Sequence, residues 1–135
     1  MAALSITAAN VAKVSGNVAS GIAGTTITAG QALYLDAATT TLKLCDADLS
    51  AAGADCVGIA LHGSLAGQPL TYQIDGTITI GATMTLGEPY FASATAGGIG
   101  PAADLVSPVR TTLIGIAGTT TILTIKLYTS GVVHA

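Results

Sequence analysis

One stretch, VGIALHGSLAGQPLTYQIDG (residues 57–76), holds the three side-chain types a hydrolase uses: His62, Ser64 and Asp75. A serine nucleophile needs a base within hydrogen-bond reach and a carboxylate to orient that base. Here the histidine and the serine stand two apart on a strand or turn, with no reason to meet. No Gly-x-Ser-x-Gly elbow presents the serine either. A glycosidase would need two carboxylates facing each other across a sugar-lined cleft. The seven acidic residues are scattered, Trp is absent, and one Phe (Phe91) and four Tyr give little stacking surface.

The remaining chemical candidates are weaker still. Asp46, Asp48 and Asp55 form the one acidic cluster. They lack the spacing and terminal Glu of an EF-hand loop and read as a solvated loop. Gly97-Gly98-Ile99-Gly100 has no strand–turn–helix after it to aim backbone amides at a phosphate, so it reads as a loop at a barrel rim. Cys45 and Cys56 lie eleven apart without a nearby His pair, too few ligands for structural zinc. Two buried thiols are expected there rather than a disulfide. His134 falls at the C-terminal tip and reads as a surface residue. No catalytic residue, cofactor or metal ligand is therefore assigned, and no small-molecule substrate is expected.

The elements that would carry these residues are strands. Leu70, Tyr72 and Ile74 alternate with Thr71, Gln73 and Asp75, the period of a half-buried strand. Leu42 and Leu44 alternate with Thr41, Lys43 and Cys45, and Leu123, Ile125 and Leu127 with Thr124, Lys126 and Tyr128. Gly-containing punctuation separates such runs about every ten residues, as in an all-β sandwich or barrel. The best helix candidate, DADLSAAGAD (residues 46–55), allows one turn around Leu49 before Gly53 interrupts it. Asp75-Gly76 resembles a two-residue hairpin turn. That turn would put the apolar residues of its two arms on opposite faces, yet Leu70, Tyr72, Ile74, Ile78 and Ile80 share one parity. The pattern instead predicts an odd-numbered turn, or one long strand kinked at Gly76 as at a barrel corner.

The chain also echoes itself. VGIA at residues 57–60 returns as IGIA at 114–117, and AGQALYL around Gly30 returns as LGEPYFA around Gly87, both with glycines 57 apart. DADL (46–49) is answered by AADL (102–105) with a one-residue gap. An internal duplication of roughly residues 28–80 and 85–135 is expected, two similar β-units closing one core. Tyr34 and Tyr90 would be equivalent, packed in the core with hydroxyls at the edge. The second copy replaces LHGSLAGQPLTYQIDG with GTTTILTIKLYTSG, which leaves His62 without a counterpart and puts Ser130 near the place of Asp75. His62 and Asp75 are thus local variations on a scaffold.

Composition narrows the function classes. Of 135 residues, 50% are apolar and only 8% charged, with four basic and seven acidic residues for a net charge of -3. Nucleic-acid binding needs clustered Lys and Arg, which are missing. The longest early uncharged run, residues 14–35, contains Ser, Asn, Thr, Gln and four Gly and does not make a membrane span. No signal peptide is evident. The chain reads as soluble and made in the cytosol, with so few charges that a partner should cover much of its surface.

TAGQALYLD, TLKLCDADL and CVGIALHGSLAGQPLTYQIDGTITIG, together residues 25–81, resemble the small decoration, or cement, proteins of tailed-bacteriophage heads. The resemblance implies a β-barrel-like structural virion protein that binds the outer surface of a capsid and bridges major capsid protein subunits. It implies self-association as a dimer or trimer, a terminal arm, and residence on the virion after synthesis in the host cytoplasm. No catalytic residue belongs to that family. Residues 1–24 lie outside both copies and are expected as the N-terminal arm of a single domain spanning 25–135. Leu4, Ile6, Val11, Val14, Val18 and Ile22 are its candidate contacts with capsid or neighbouring subunit. A tail, tube or fibre subunit, or another self-assembling structural subunit such as one of a bacterial surface assembly, is the alternative. A small-ligand or glycan module is a distant third, since its pocket would want aromatic groups.

Overall fold

The computed structural model describes residues 4, 6–36, 38–45, 56–92, 97–101 and 109–134, with the side chains of 109–111 and 128–134 left aside. The helix turn expected near Leu49 lies outside the described residues. Ile, Val, Leu and Thr, whose branched or bulky side chains suit a pleated surface, fill the strands. These are β1 (Ala12–Ser15), β2 (Val18–Ile22), β3 (Ala32–Asp36), β4 (Thr41–Leu44), β5 (Gly58–Ala60) and β6 (Pro69–Gln73). They continue as β7 (Gly76–Thr79), β8 (Pro89–Ala92), β9 (Ile99–Pro101), β10 (Val109–Ala117) and β11 (Ile122–His134).

Two antiparallel sheets pack as a sandwich and do not close into a barrel. Sheet A runs β1-β7-β11-β10-β8-β9 and sheet B runs β2-β6-β5-β3-β4. Setting β1 aside, each sheet holds five strands consecutive in the chain, laid down in the spatial order first-fifth-fourth-second-third. The registers agree too. Leu33 pairs with Gly58 and Ala32 with Ile59 in sheet B; Tyr90 pairs with Gly115 and Pro89 with Ile116 in sheet A, each 57 residues later. This register corrects the tyrosine pairing. The counterpart of Tyr90 is Leu33, and that of Tyr34 is Phe91. Tyr90 is buried and its hydroxyl accepts the Thr85 N–H at 2.9 Å.

A single device joins strand ends in three places. The Ala23, Ala60 and Ala117 N–H groups donate to the carbonyls of Gln68, Gln31 and Glu88, and the Gly67, Gly30 and Gly87 N–H groups donate back to those alanines, all at 2.7–3.1 Å. Each glycine sits third in a tight turn at a φ of +79° to +88°, where a β-carbon is strained.

The kink predicted at Gly76 is present. β6 and β7 belong to different sheets, and the chain turns the sandwich corner between them at Gly76, φ +82°. β1 and β2 turn the same corner alongside at Gly16, φ +113°. A β-carbon on either glycine would strike the backbone of the other segment, so only glycine lets the two ribbons cross.

The main core lies between the sheets: Ile78, Ile80, Ile114, Leu123 and Ile125 from sheet A face Ala32 and Ile59 from sheet B. Burying an aliphatic side chain of this size is worth about 1.5–3 kcal/mol. A second core of Leu33, Leu42, Ala60 and Leu70 occupies the other face of sheet B. It is closed by Ala23 and Ile27, because sheet B curls until Ala23 bridges Leu42.

Three further expectations change. Cys45 and Cys56 are joined in a disulfide at the edge of the main core rather than standing as thiols. The strand ends on either side bring them within bonding distance, with the Cys45 N–H on the Ala32 carbonyl and the Val57 N–H on the Leu33 carbonyl. Ile99, Gly100 and Pro101 are also not a rim loop. They form β9 and pair with Ala92, Phe91 and Tyr90. The N-terminal segment, expected as an extended arm, is extended but lies along the body. β1 pairs with β7, β2 pairs with β6, and the Leu4 N–H donates to the Ile99 carbonyl. One side of its backbone pairs with the sheets it borders, while β1 and β2 stand at the sheet edges.

Candidate functional site

His62, Ser64 and Asp75 are held apart, each committed locally. Thr71 donates its N–H to His62 Nε2 at 3.0 Å, so the ring proton sits on Nδ1 and donates to the Gly63 carbonyl at 2.9 Å. Ser64 donates its hydroxyl to backbone carbonyls, the nearest that of Pro69 at 3.0 Å. Ile27 and Ser64 exchange both backbone hydrogen bonds, which ties the loop to Ile27 of the second core. His62 and Ser64 therefore brace the loop between β5 and β6. Asp75 works at the corner, accepting the Asn17 N–H at 2.7 Å and the Asn17 side-chain amide at 3.0 Å. Those two donors, the backbone one foremost, hold its carboxyl below the usual carboxylate range.

Elsewhere, Asp36 and Lys43 face each other across β3 and β4 at 2.7 Å, a half-exposed pair that lowers the Asp36 carboxyl and raises the Lys43 amine. Among the described residues no group of three or more His, Cys, Asp or Glu is placed to hold a metal ion. Among the described residues no helix is long and apolar enough to cross a membrane. A shallow open cleft of about 470 Å³ is lined by Asn10, Thr79, Gly81, Ala82, Thr83 and Thr121, none of them titratable in the working pH range.

The six N-terminal candidates divide. Leu4, Ile6 and Val11 are half-buried and packed against the main core, so their apolar area is already used within the molecule. Val14, Val18 and Ile22 are exposed, at 53%, 46% and 43%. Val14 lies on β1, an edge strand whose four residues all face solvent. Val18 and Ile22 share one side of β2, the side opposite Gly21.

A broader surface went unread in the sequence: the outer face of sheet A. One row crosses five strands, from Pro89 through Ile116, Thr124 and Thr77 to Ser15, each pair in direct register. Beside it Phe91 pairs with Leu113. These residues alternate with Tyr90, Ile114, Ala117, Leu123 and Ile78, which point into the core. The face grades from apolar on β8 and β10 to hydroxyl on β7 and β1, where Ser15 and Thr77 bond oxygen to oxygen at 2.7 Å. Ile116 is 40% exposed, and Leu86, at the turn before β8, is 66% exposed. The face was legible in part. The alternation of Leu123 and Ile125 with Thr124 gives the outward position on β11, but which strands lie beside it is set by the sheet order.

Comparison with protein-family models, with curated proteins and with solved structures returns no match.

Proposed function

We propose that this chain is a structural subunit that works by surface contact: a decoration, or cement, protein on the exterior of a phage capsid. It bridges major capsid protein subunits and associates with its own kind as a dimer or trimer. The observation that carries the reading is the outer face of sheet A, a broad sheet surface graded from apolar to hydroxyl, with Lys126 as the exposed charge that follows Thr124 on β11. Such a face suits docking against another protein, since it costs little to desolvate and offers side chains for close packing. The resemblance of residues 25–81 to head decoration proteins supports the same reading. Many copies on a lattice turn a modest contact per copy into a stiff shell through avidity. In this reading the chain is made in the host cytoplasm, and the Cys45–Cys56 disulfide closes after the particle leaves that reducing compartment.

The test pairs two measurements. Light scattering across a concentration series should give a discrete dimer or trimer. Cosedimentation with shells of the major capsid protein from the same virus should show saturable binding. A monomer at every concentration that also stays in the supernatant would overturn the reading. Open-ended growth in mass without shell binding would assign the chain to a tail, tube or fibre instead.

A further inference from the structure

Both sheets must close the same gap between their first and third strands, and they do it differently. In sheet B the end of β2 reaches β4 directly, with the Gly24 N–H on the Leu42 carbonyl at 2.8 Å. The corresponding residues of sheet A, 57 positions later, are Gly81 and Ile99, and they do not bond to each other. The N-terminal segment stands between them. Its Leu4 N–H donates to the Ile99 carbonyl at 2.7 Å, and its Thr7 N–H donates to the Gly81 carbonyl at 2.8 Å. Leu4, Ile6 and Val11 fill the end of the main core beneath. Gly30 and Gly81 make room for this strap, since a β-carbon on Gly30 would crowd Ile6 and one on Gly81 the Thr7 carbonyl.

We propose that this slot between β7 and β9 is an exchange site, filled in the assembled state by the strap of a second copy. The inference rests on the self-association proposed above and names the element that carries it. Three observations point the same way. The strap lies outside both five-stranded units, so each unit keeps all its own strands when the strap leaves. It is joined to β1 by a single 3-10 turn, Ala8–Asn10, that buries no residue and can act as a hinge. The open cleft beside Asn10, Gly81 and Ala82 leaves that hinge unpacked. A strap entering from a neighbour makes the same two hydrogen bonds and seats Leu4 and Ile6 beside Val11, which lies past the hinge and stays with its own β1. Exchange therefore gives up at most the two hydrogen bonds of the hinge turn, from the Asn10 and Val11 N–H groups to the Thr7 and Ala8 carbonyls, and adds an interface, the low-cost route to oligomers.

The full-length chain tests this directly. Thr7→Cys and Ala82→Cys are made singly, on chains of different tagged mass, and together on one chain, with the native disulfide kept. The single variants are incubated together at high concentration and oxidised. The expected result is a covalent dimer joining one tag to the other, its yield rising with protein concentration. Cross-linking confined to the double variant, within one chain, overturns exchange; if light scattering still shows a dimer or trimer, self-association stands without it. A monomer by light scattering with no bond between chains overturns both. Deleting Ala8–Asn10 is the independent arm, since a strap cut short of its own slot should at least double the mass. A mass unchanged from the parent chain overturns the proposal.

Discussion

Gln73 donates its side-chain amide to the Ser15 carbonyl at 2.7 Å, linking the two chain segments that turn the sandwich corner together. The same nitrogen reaches the carbonyls of Asp75 at 2.7 Å and Thr77 at 2.9 Å, so two N–H groups serve three acceptors. The residue is fully buried, and its own Oε1 has no protein partner. One amide thus satisfies carbonyls that the sharp turn takes out of both ladders.

Gln73→Met keeps the volume and removes the donors. Each buried carbonyl left unpaired costs about 1–3 kcal/mol, partly offset because the unpartnered Oε1 goes too. A net loss of about 2–4 kcal/mol is expected from chemical denaturation. A loss below about 0.5 kcal/mol would show that the corner does not depend on this amide.

Gly76→Ala and Gly87→Ala separate clash from strain. Both glycines have φ near +80°, but a β-carbon on Gly76 meets the Ser15 backbone while one on Gly87 meets nothing within 4 Å. Gly87→Ala should cost about 1–2 kcal/mol, the left-handed penalty alone. Gly76→Ala should cost well over that, or prevent folding. Equal melting temperatures for the two variants would contradict the corner geometry.

Acid should loosen the same corner. Asp75 has a folded pKa below its ordinary value of 3.8, so its contribution is present above that value and is lost as the pH falls through the folded pKa. Thermal melts from pH 6 down to pH 2.5 should show wild-type stability falling mainly below about pH 4. Asp75→Asn, which cannot titrate, should start less stable and lose less over that window. Parallel pH profiles would remove Asp75 from this role.

The disulfide should stabilise without being the fold's foundation. Cys45 and Cys56 are eleven apart, and closing so short a loop restrains the unfolded chain by about 3 kcal/mol. Reduction, or the double change Cys45→Ser with Cys56→Ser, should lower the melting temperature and leave the strand signal in circular dichroism intact. Loss of that signal on reduction would mean that the two cores cannot hold the sheets without the link.

On the outer face of sheet A, Ile116→Lys should leave the melting temperature within a few degrees of wild type, since the side chain is already 40% exposed. It should weaken self-association or shell binding tenfold or more in sedimentation, because a charge must be desolvated on docking. Undiminished binding would move the contact to another face.

The strands were legible because their cause is local. A period of two is written in Leu70-Thr71-Tyr72 and Leu123-Thr124-Ile125, and pleating alone turns it into an inward and an outward face. The Gly76 corner could be inferred from parity, because a hairpin would have wasted five aligned apolar residues. The third use of the glycine turn, at Gly67, was hidden because its partner motif, Gly21-Ile22-Ala23, lies inside the segment read as an arm. GIAGTT occurs twice, at residues 21–26 and 115–120, and that identity marks the end of β2 as another site of the same glycine turn.

By itself, then, the sequence determined the all-β class, the strand-to-glycine rhythm and the 57-residue echo, all of which follow from side-chain size, branching and φ preference within a few residues. Only the tertiary structure decided that Cys45 meets Cys56, that His62 is occupied by Thr71 and Gly63, and that Leu4 and Ile6 fill a slot beside Ile99. Each of those depends on which strand end lies next to which. That is set by the packing of whole sheets over two cores, an energy summed over residues far apart in the chain that no local pattern encodes.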